Sequence, residues 1–204
     1  MSAAAEAETA WAAFMTEPVG YIEPGQLSRS LGGALSMELC TQLKDCERLH
    51  DRLSALILAG EGLAAWSERD LLSEEDAAIA VAPFPVLAAI VQRAGAIFWA
   101  AGMANAVRGA DVAALQNALG EEQCRFAVKH RDLAGPEQPL APFETLFERM
   151  IADGWRCYAG WCDALPSEIR PRARLKIPPG DAQRQPAPQP FLARGPAIIR
   201  RAAA

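Results

Sequence analysis

Apolar residues recur along this chain at helical spacing. Leu35, Leu39, Leu43, Cys46, Leu49, Leu53 and Leu56 are three or four positions apart, while Lys44, Asp45, Glu47, Arg48, Asp51 and Arg52 fall on the opposite side. This stripe predicts one long amphipathic helix. His50 lies on its charged side and is expected to be solvated. Gly60-Glu61-Gly62 then reads as a helix-ending turn, since glycine tolerates the left-handed terminus. It does not make a dinucleotide fingerprint, because Ala65 stands where the third glycine would be and no strand precedes it. A second stripe, Phe143, Leu146, Phe147, Met150, Ile151, Trp155, Tyr158 and Cys162, predicts a helix opened by Pro142. Within it, Gly154 and Gly160 leave room for a neighbouring helix to approach closely.

Between residues 77 and 103 polar positions nearly vanish, but Pro83 and Pro85 break the run and Arg93 interrupts it. A membrane span needs about 20 apolar residues in one stretch. The segment is therefore read as a short element with Ser73 as its N-cap, a proline turn, and a buried central helix. Asp111 is placed as the cap of a helix carrying Val112, Leu115 and Leu119. Gly120 makes a bend, and residues 121–129 continue as helix. Near the start, residues 9–15 predict a short helix. Pro18 and Pro24 then impose an extended passage through Tyr21 and Ile22, and Gly32-Gly33 is a break. Pro166 opens a last amphipathic piece toward Ile177. Six or seven helices and no convincing strand define an all-α fold, a single compact multi-helix domain.

The composition changes this picture at one end only. The 204 residues are 51% hydrophobic with a net charge of −5. That suits a globular core, excludes a fully disordered chain, and argues against nucleic-acid binding through bulk charge. Residues 1–163 hold 12 basic and 23 acidic side chains, whereas residues 164–204 hold 8 basic and 2 acidic ones together with 8 of the 15 prolines. Periodicity fades after Pro178, so a flexible Pro-rich C-terminal tail is expected. The expected organisation is an N-terminal segment over 1–34, a helical domain over 35–177 and a tail over 178–204. Cys40, Cys46, Cys124, Cys157 and Cys162 are an odd set with no metal spacing. They read as free, mostly buried thiols of a reducing compartment, and the N-terminus lacks a secretory pattern, so a cytoplasmic location is expected.

Candidate chemistry is sparse. His130-Arg131-Asp132-Leu133 has the wording of a kinase catalytic loop, but Glu137 stands where that loop needs asparagine, and the phosphate loop is missing. A basic helix end explains it better. Glu74-Glu75-Asp76 reads as an acidic helix start and not a metal site. No nucleophile constellation occurs. No catalytic residue, metal or cofactor is assigned. Trp155, Tyr158 and Trp161 could line a pocket, which would make the chain a small helical ligand-binding protein or enzyme. Core packing is the favoured reading of that stripe. Arg170, Arg172, Arg174 and Lys176 alternate along the chain, either as a solvated face or as a docking site for an acidic partner. A further reading has this basic end touching RNA or anionic lipid.

Three segments in order carry a family resemblance: residues 21–27 (YIEPGQL), residues 119–129 (LGEEQCRFAVK), and residues 165–178 (LPSEIRPRARLKIP) after an aromatic helix. Together they resemble the YscK/SctK family of bacterial type III secretion proteins over about residues 18–178. Glu23 departs from the basic residue or histidine usual in the family after the Tyr-Ile pair. The resemblance implies a cytosolic, mainly helical adaptor without catalytic residues or a small-molecule substrate. It would link the cytoplasmic domain of the inner-membrane ring protein to the pod protein of the sorting platform beneath the injectisome. It would then lie peripheral to the inner membrane and meet it only indirectly. Two contact segments are expected: Tyr21, Ile22 and Pro24, where prolines pre-order an exposed strip, and the basic run Arg170, Arg172, Arg174 and Lys176.

Overall fold

The fold comes from a computed structural model, which describes residues 3–63, 68–106 and 108–204. Ala65 of the glycine motif lies outside these residues. In chain order the helices are α1 (Ala3–Thr16), α2 (Pro24–Ser30), α3 (Met37–Lys44), α4 (His50–Gly60), α5 (Glu74–Val81) and α6 (Phe84–Phe98). They continue with α7 (Ala100–Ala104), α8 (Gly109–Leu119), α9 (Glu121–Lys129), α10 (Leu146–Ala164), α11 (Arg170–Arg174) and α12 (Phe191–Ala203). Among the described residues no strand occurs, so the fold is all-α. No single helix among them is long and apolar enough to cross a membrane. The chain divides into two compact units, each discontinuous in sequence. The first joins Met1–Phe84 to Leu165–Gln183, and the second joins Pro85–Ala164 to Arg184–Ala204. These boundaries differ from the expected ones at residues 34 and 177.

In the first unit, prolines start helical turns where an extended passage was expected. Pro18 opens a 3-10 turn, Pro18–Gly20, and Pro24 opens α2. A first-turn position has no hydrogen bond for proline to lose. Between them Glu23 is extended, and its carboxylate caps α2 by accepting from the amides of Gly25 and Gln26 at 2.7 and 3.1 Å. The long leucine stripe is also divided. Helix α3 stops at Lys44, a 3-10 turn spans Glu47–Leu49, and α4 begins at His50. The His50 imidazole, half-buried and not solvated as expected, sits 2.6 Å from the carbonyl of Lys44, which no helical amide takes up. The break rotates the stripe. Leu39 and Leu56 are left 40% and 51% exposed, while Cys40 and Ile57 join Val19, Ile22, Leu27 and Leu175 in the core. Gly62, at φ 61, ends α4, and Leu63 donates back to the carbonyl of Leu58 at 2.9 Å. That is the six-to-one bond of a glycine-terminated helix. Ser73 caps α5 by accepting from the amide of Asp76.

The second unit is built around α10. A Cβ on Gly154 would overlap the carbonyl of Val91 in α6, and one on Gly95 would overlap the carbonyl of Met150 in α10. On another side, a Cβ on Gly160 would overlap the carbonyl of Phe191, and one on Gly195 the carbonyl of Cys157. Each contact pairs a glycine of one helix with a carbonyl of the next, so α10 meets α6 and α12 backbone to backbone. Polar contacts lock this packing. Trp99 Nε1 donates to Asp153 Oδ2 at 2.8 Å, and Arg156 pairs with the same carboxylate at 2.6 Å. Phe98 and Phe191 stack with centroids 4.6 Å apart.

Helix α12 corrects the expectation of a flexible tail. Phe191, Gly195, Ile198, Ile199 and Ala202 form its buried stripe. Pro188, Pro190 and the internal Pro196 obscure this period in the sequence. Packing against α10 overrides the poor propensity, as tertiary contacts do for most short helices. Before α12, the amide of buried Ala187 donates to Asp163 at 2.6 Å. At α8 the cap position belongs to Arg108, with Asp111 in the first turn. Gly120 makes the bend at φ 83, and α9 covers the expected residues.

Two outcomes test this packing. Gly95→Ala and Gly154→Ala should each lower the unfolding free energy by about 3 kcal/mol, the upper range for forcing a methyl into a filled core. Gly60→Ala, where a Cβ meets nothing within 4 Å, should be neutral or stabilising by up to about 1 kcal/mol. Denaturant titration reads both. Iodoacetamide should label Cys46 and Cys124 in the native protein, whereas buried Cys40, Cys157 and Cys162 should label only on unfolding, as read by mass spectrometry.

Candidate functional site

The two expected contact segments meet each other inside the first unit. The amide of Glu23 donates to the carbonyl of Leu175 at 2.8 Å, and the side-chain amide of Gln26 donates to that of Ile177 at 2.8 Å. Pro179 closes over Gly25, where a Cβ would overlap its ring. Ile22 is fully buried, while Tyr21 and Pro24 are half-buried. The strip near residue 21 is therefore largely an internal seam, not an exposed ribbon.

The basic run turns inward as well. Arg172, Arg174 and Lys176 are buried, and Arg170 is half-buried. Lys176 Nζ donates to the carbonyls of Ala80 and Ala82 at 2.5 and 2.8 Å, at the C-terminal end of α5. It also stands 5.4 and 5.3 Å from the ring centroids of Phe14 and Tyr21. The Arg172 guanidinium donates twice to the carbonyl of Met15, at 3.3 and 3.0 Å, at the end of α1. Last-turn carbonyls lack helical donors and carry the negative pole of the helix dipole. Both cations satisfy those carbonyls. Arg174 reaches the carbonyl of Gln183 at 3.4 Å and Arg170 that of Leu165 at 3.2 Å. A solvated face and an exposed docking site are both excluded for Arg172, Arg174 and Lys176 by this burial.

The electrostatics follow from the packing. Burial lowers the Arg172 pKa, with Tyr21 opposing the change. Burial raises the Tyr21 phenol far above its usual range, with Arg172 pulling the other way, so it stays a donor, to the carbonyl of Phe14 at 2.9 Å. Burial also lowers the Lys44 pKa against the opposing charges of Glu23 and Asp45, and Lys44 donates to the carbonyl of Ile22. Glu23 is thus a helix cap beside a lysine, which gives the departure at that position a structural role.

The aromatic stripe on α10 is mostly core, with Trp155 half-buried. Tyr158 and Trp161 are fully buried and stack at 5.1 Å. Two cavities, of about 580 and 290 Å³, lie elsewhere and are lined by residues of α6, α8 and α9 among others. Among the described residues no group of His, Cys, Asp and Glu is placed to hold a metal ion. His130 ends α9, and Arg131–Leu133 forms a 3-10 turn.

These features define an all-helical protein whose interior is occupied by packing and by cations that cap helices. Over residues 9–192 the chain matches the family described as YOP proteins translocation protein K (YscK), and it belongs to that family. Membership of that family makes the chain a type III secretion-associated protein. The chain is 30% identical over 169 residues to nodulation protein NolU of Rhizobium fredii and to nodulation protein NolU of Sinorhizobium fredii (strain NBRC 101917 / NGR234). The match covers 81% of this chain and 74% of each relative. No solved structure matches the chain significantly.

Lys176→Met keeps the aliphatic stem but removes the donor to two buried carbonyls. It should cost about 3 kcal/mol of stability, from the penalty for stranding buried acceptors. Arg52→Met, at an exposed site on α4, should stay within about 0.5 kcal/mol. Denaturant midpoints compare the two directly, and equal effects would contradict the capping role.

Proposed function

We propose that the chain is a non-enzymatic, cytoplasmic adaptor of a type III secretion sorting platform, joining the inner-membrane ring to the pod protein. The observation that carries this reading is membership of the YscK family over residues 9–192. The division into two compact units, each with its own core, supports it further. An adaptor works by holding surfaces, and each unit exposes apolar side chains that a partner could cover. In the first unit these include Met37, Leu39, Leu56 and Leu71; in the second they include Val86, Val112, Val128 and Phe147. The chemistry of these positions suits protein contact, where a few desolvated apolar anchors carry most of the affinity. Of the partner segments named from the sequence, Ile22, Arg172, Arg174 and Lys176 belong to the first unit's interior, so these exposed positions take their place, while Tyr21, Pro24 and Arg170 are half-buried.

Affinity purification of the tagged full chain from its native host tests the reading. Ring and pod components should both co-purify. Leu56→Glu in the first unit and Phe147→Glu in the second should each reduce recovery of one component at least about tenfold, while thermal unfolding stays that of the parent. Absence of both components from the purified material would overturn the proposal.

A further inference from the structure

The second unit carries a basic strip of different character from the buried run. Arg93 of α6 lies with its guanidinium carbon 5.6 Å from the centroid of Phe126 on α9. Phe126 meets His130 edge to face at 4.8 Å. Lys129 ends α9, Arg131 opens the following 3-10 turn, and Arg201 stands in the last turn of α12, which packs against that turn. Arg93, Lys129, Arg131 and Arg201 are exposed. Among the described residues, none of these four is in an ion pair. A cleft of about 580 Å³ has Arg93, Phe126 and Ala204 in its wall, together with Glu121 and Glu122.

We infer that this α6–α9–α12 face is a recognition surface for an acidic segment of a protein partner, with Phe126 as its apolar floor. Four exposed cations gather here in a chain whose net charge is −5, so the cluster is not a by-product of a basic composition. The cations lie close enough to be felt. The His130 pKa is lowered by burial first and then by Arg201 and Lys129, with Asp132 opposing. Such a potential attracts carboxylates and speeds encounter. The polarity of α9 selects the partner class. Along this helix Glu121 and Glu122 stand about 10–12 Å from Lys129. A flat anionic bilayer would meet the acidic end together with the basic one. A peptide segment can set its carboxylates against Lys129, Arg131 and Arg201 while an apolar side chain enters the cleft against Phe126. This inference stands on the geometry of the second unit and does not depend on the ring-to-pod reading.

The test uses the full chain and a fluorescein-labelled 15-residue amphipathic peptide with Glu on one face and Leu on the other, at 0.15 M salt. Its Lys-for-Glu counterpart and phosphatidylglycerol vesicles serve as competing probes. The Glu peptide should bind the parent chain and shift amide resonances of α9 and α12. Lys129→Glu with Arg201→Glu should weaken that binding at least about tenfold and should favour the Lys peptide. Arg52→Glu, a single charge reversal on the first unit, should leave binding within about twofold. Should the double variant lose its fold, Lys129→Gln alone should still weaken binding about threefold. Equal binding by parent and variant, shifts confined to other helices, or preferential capture by the vesicles would overturn the inference.

Discussion

A buried ammonium group has to be solvated by the protein, and in the first unit that requirement organises the chain. Lys176 is 1% exposed. Taking such a charge out of water costs several kcal/mol unless hydrogen bonds and favourable dipoles offset it. The carbonyls of Ala80 and Ala82 and the faces of Phe14 and Tyr21 supply that compensation. Arg172 obtains the same from Met15 at the end of α1. These bonds join parts of the chain 94 and 157 residues apart. The segment around α11 therefore returns to the N-terminal helices, and the unit becomes discontinuous. Helix ends that would otherwise leave carbonyls unsatisfied are closed by side chains from the far end of the sequence.

The second unit is organised instead by close backbone packing, with the Arg156–Asp153 pair fitted beside it. Glycines on α6, α10 and α12 let neighbouring backbones approach to where any Cβ would collide. That contact brings Trp99 to Asp153 and Phe98 to Phe191. It also holds α12 as a helix despite Pro196. In this unit shape complementarity is the constraint, and the polar bonds are fitted around it.

What could be read from the sequence was local or periodic. The Ser73 cap, the Gly120 bend, helix 121–129 and the close-approach glycines Gly154 and Gly160 each depend on residues near one another or on a short repeat. The family could be read too, from three short segments in order. What escaped depends on distant partners. The break after Lys44 follows from the contacts of Lys44 and His50 with the carbonyls of Ile22 and Lys44. Alternating cations at 170, 172, 174 and 176 look like a solvated face because nothing nearby announces the carbonyls that receive them. The stripe of α12 is regular, but prolines mask it, and only α10 gives it something to pack against. The cleft beside Phe126 is assembled from three helices and has no motif of its own.

Charge near the C-terminus therefore has two destinations. The excess of basic residues after position 163 looks uniform in sequence, yet burial divides it. Arg172, Arg174 and Lys176 are consumed in closing the first unit, where reversal of their charge would act on stability. Arg194 and Arg201 stay exposed on α12, where reversal would act on whatever meets that face. A charge can recruit a partner only if the fold has not already used it. For this YscK-family chain, the residues available for recognition are thus defined by the helix ends that did not need them.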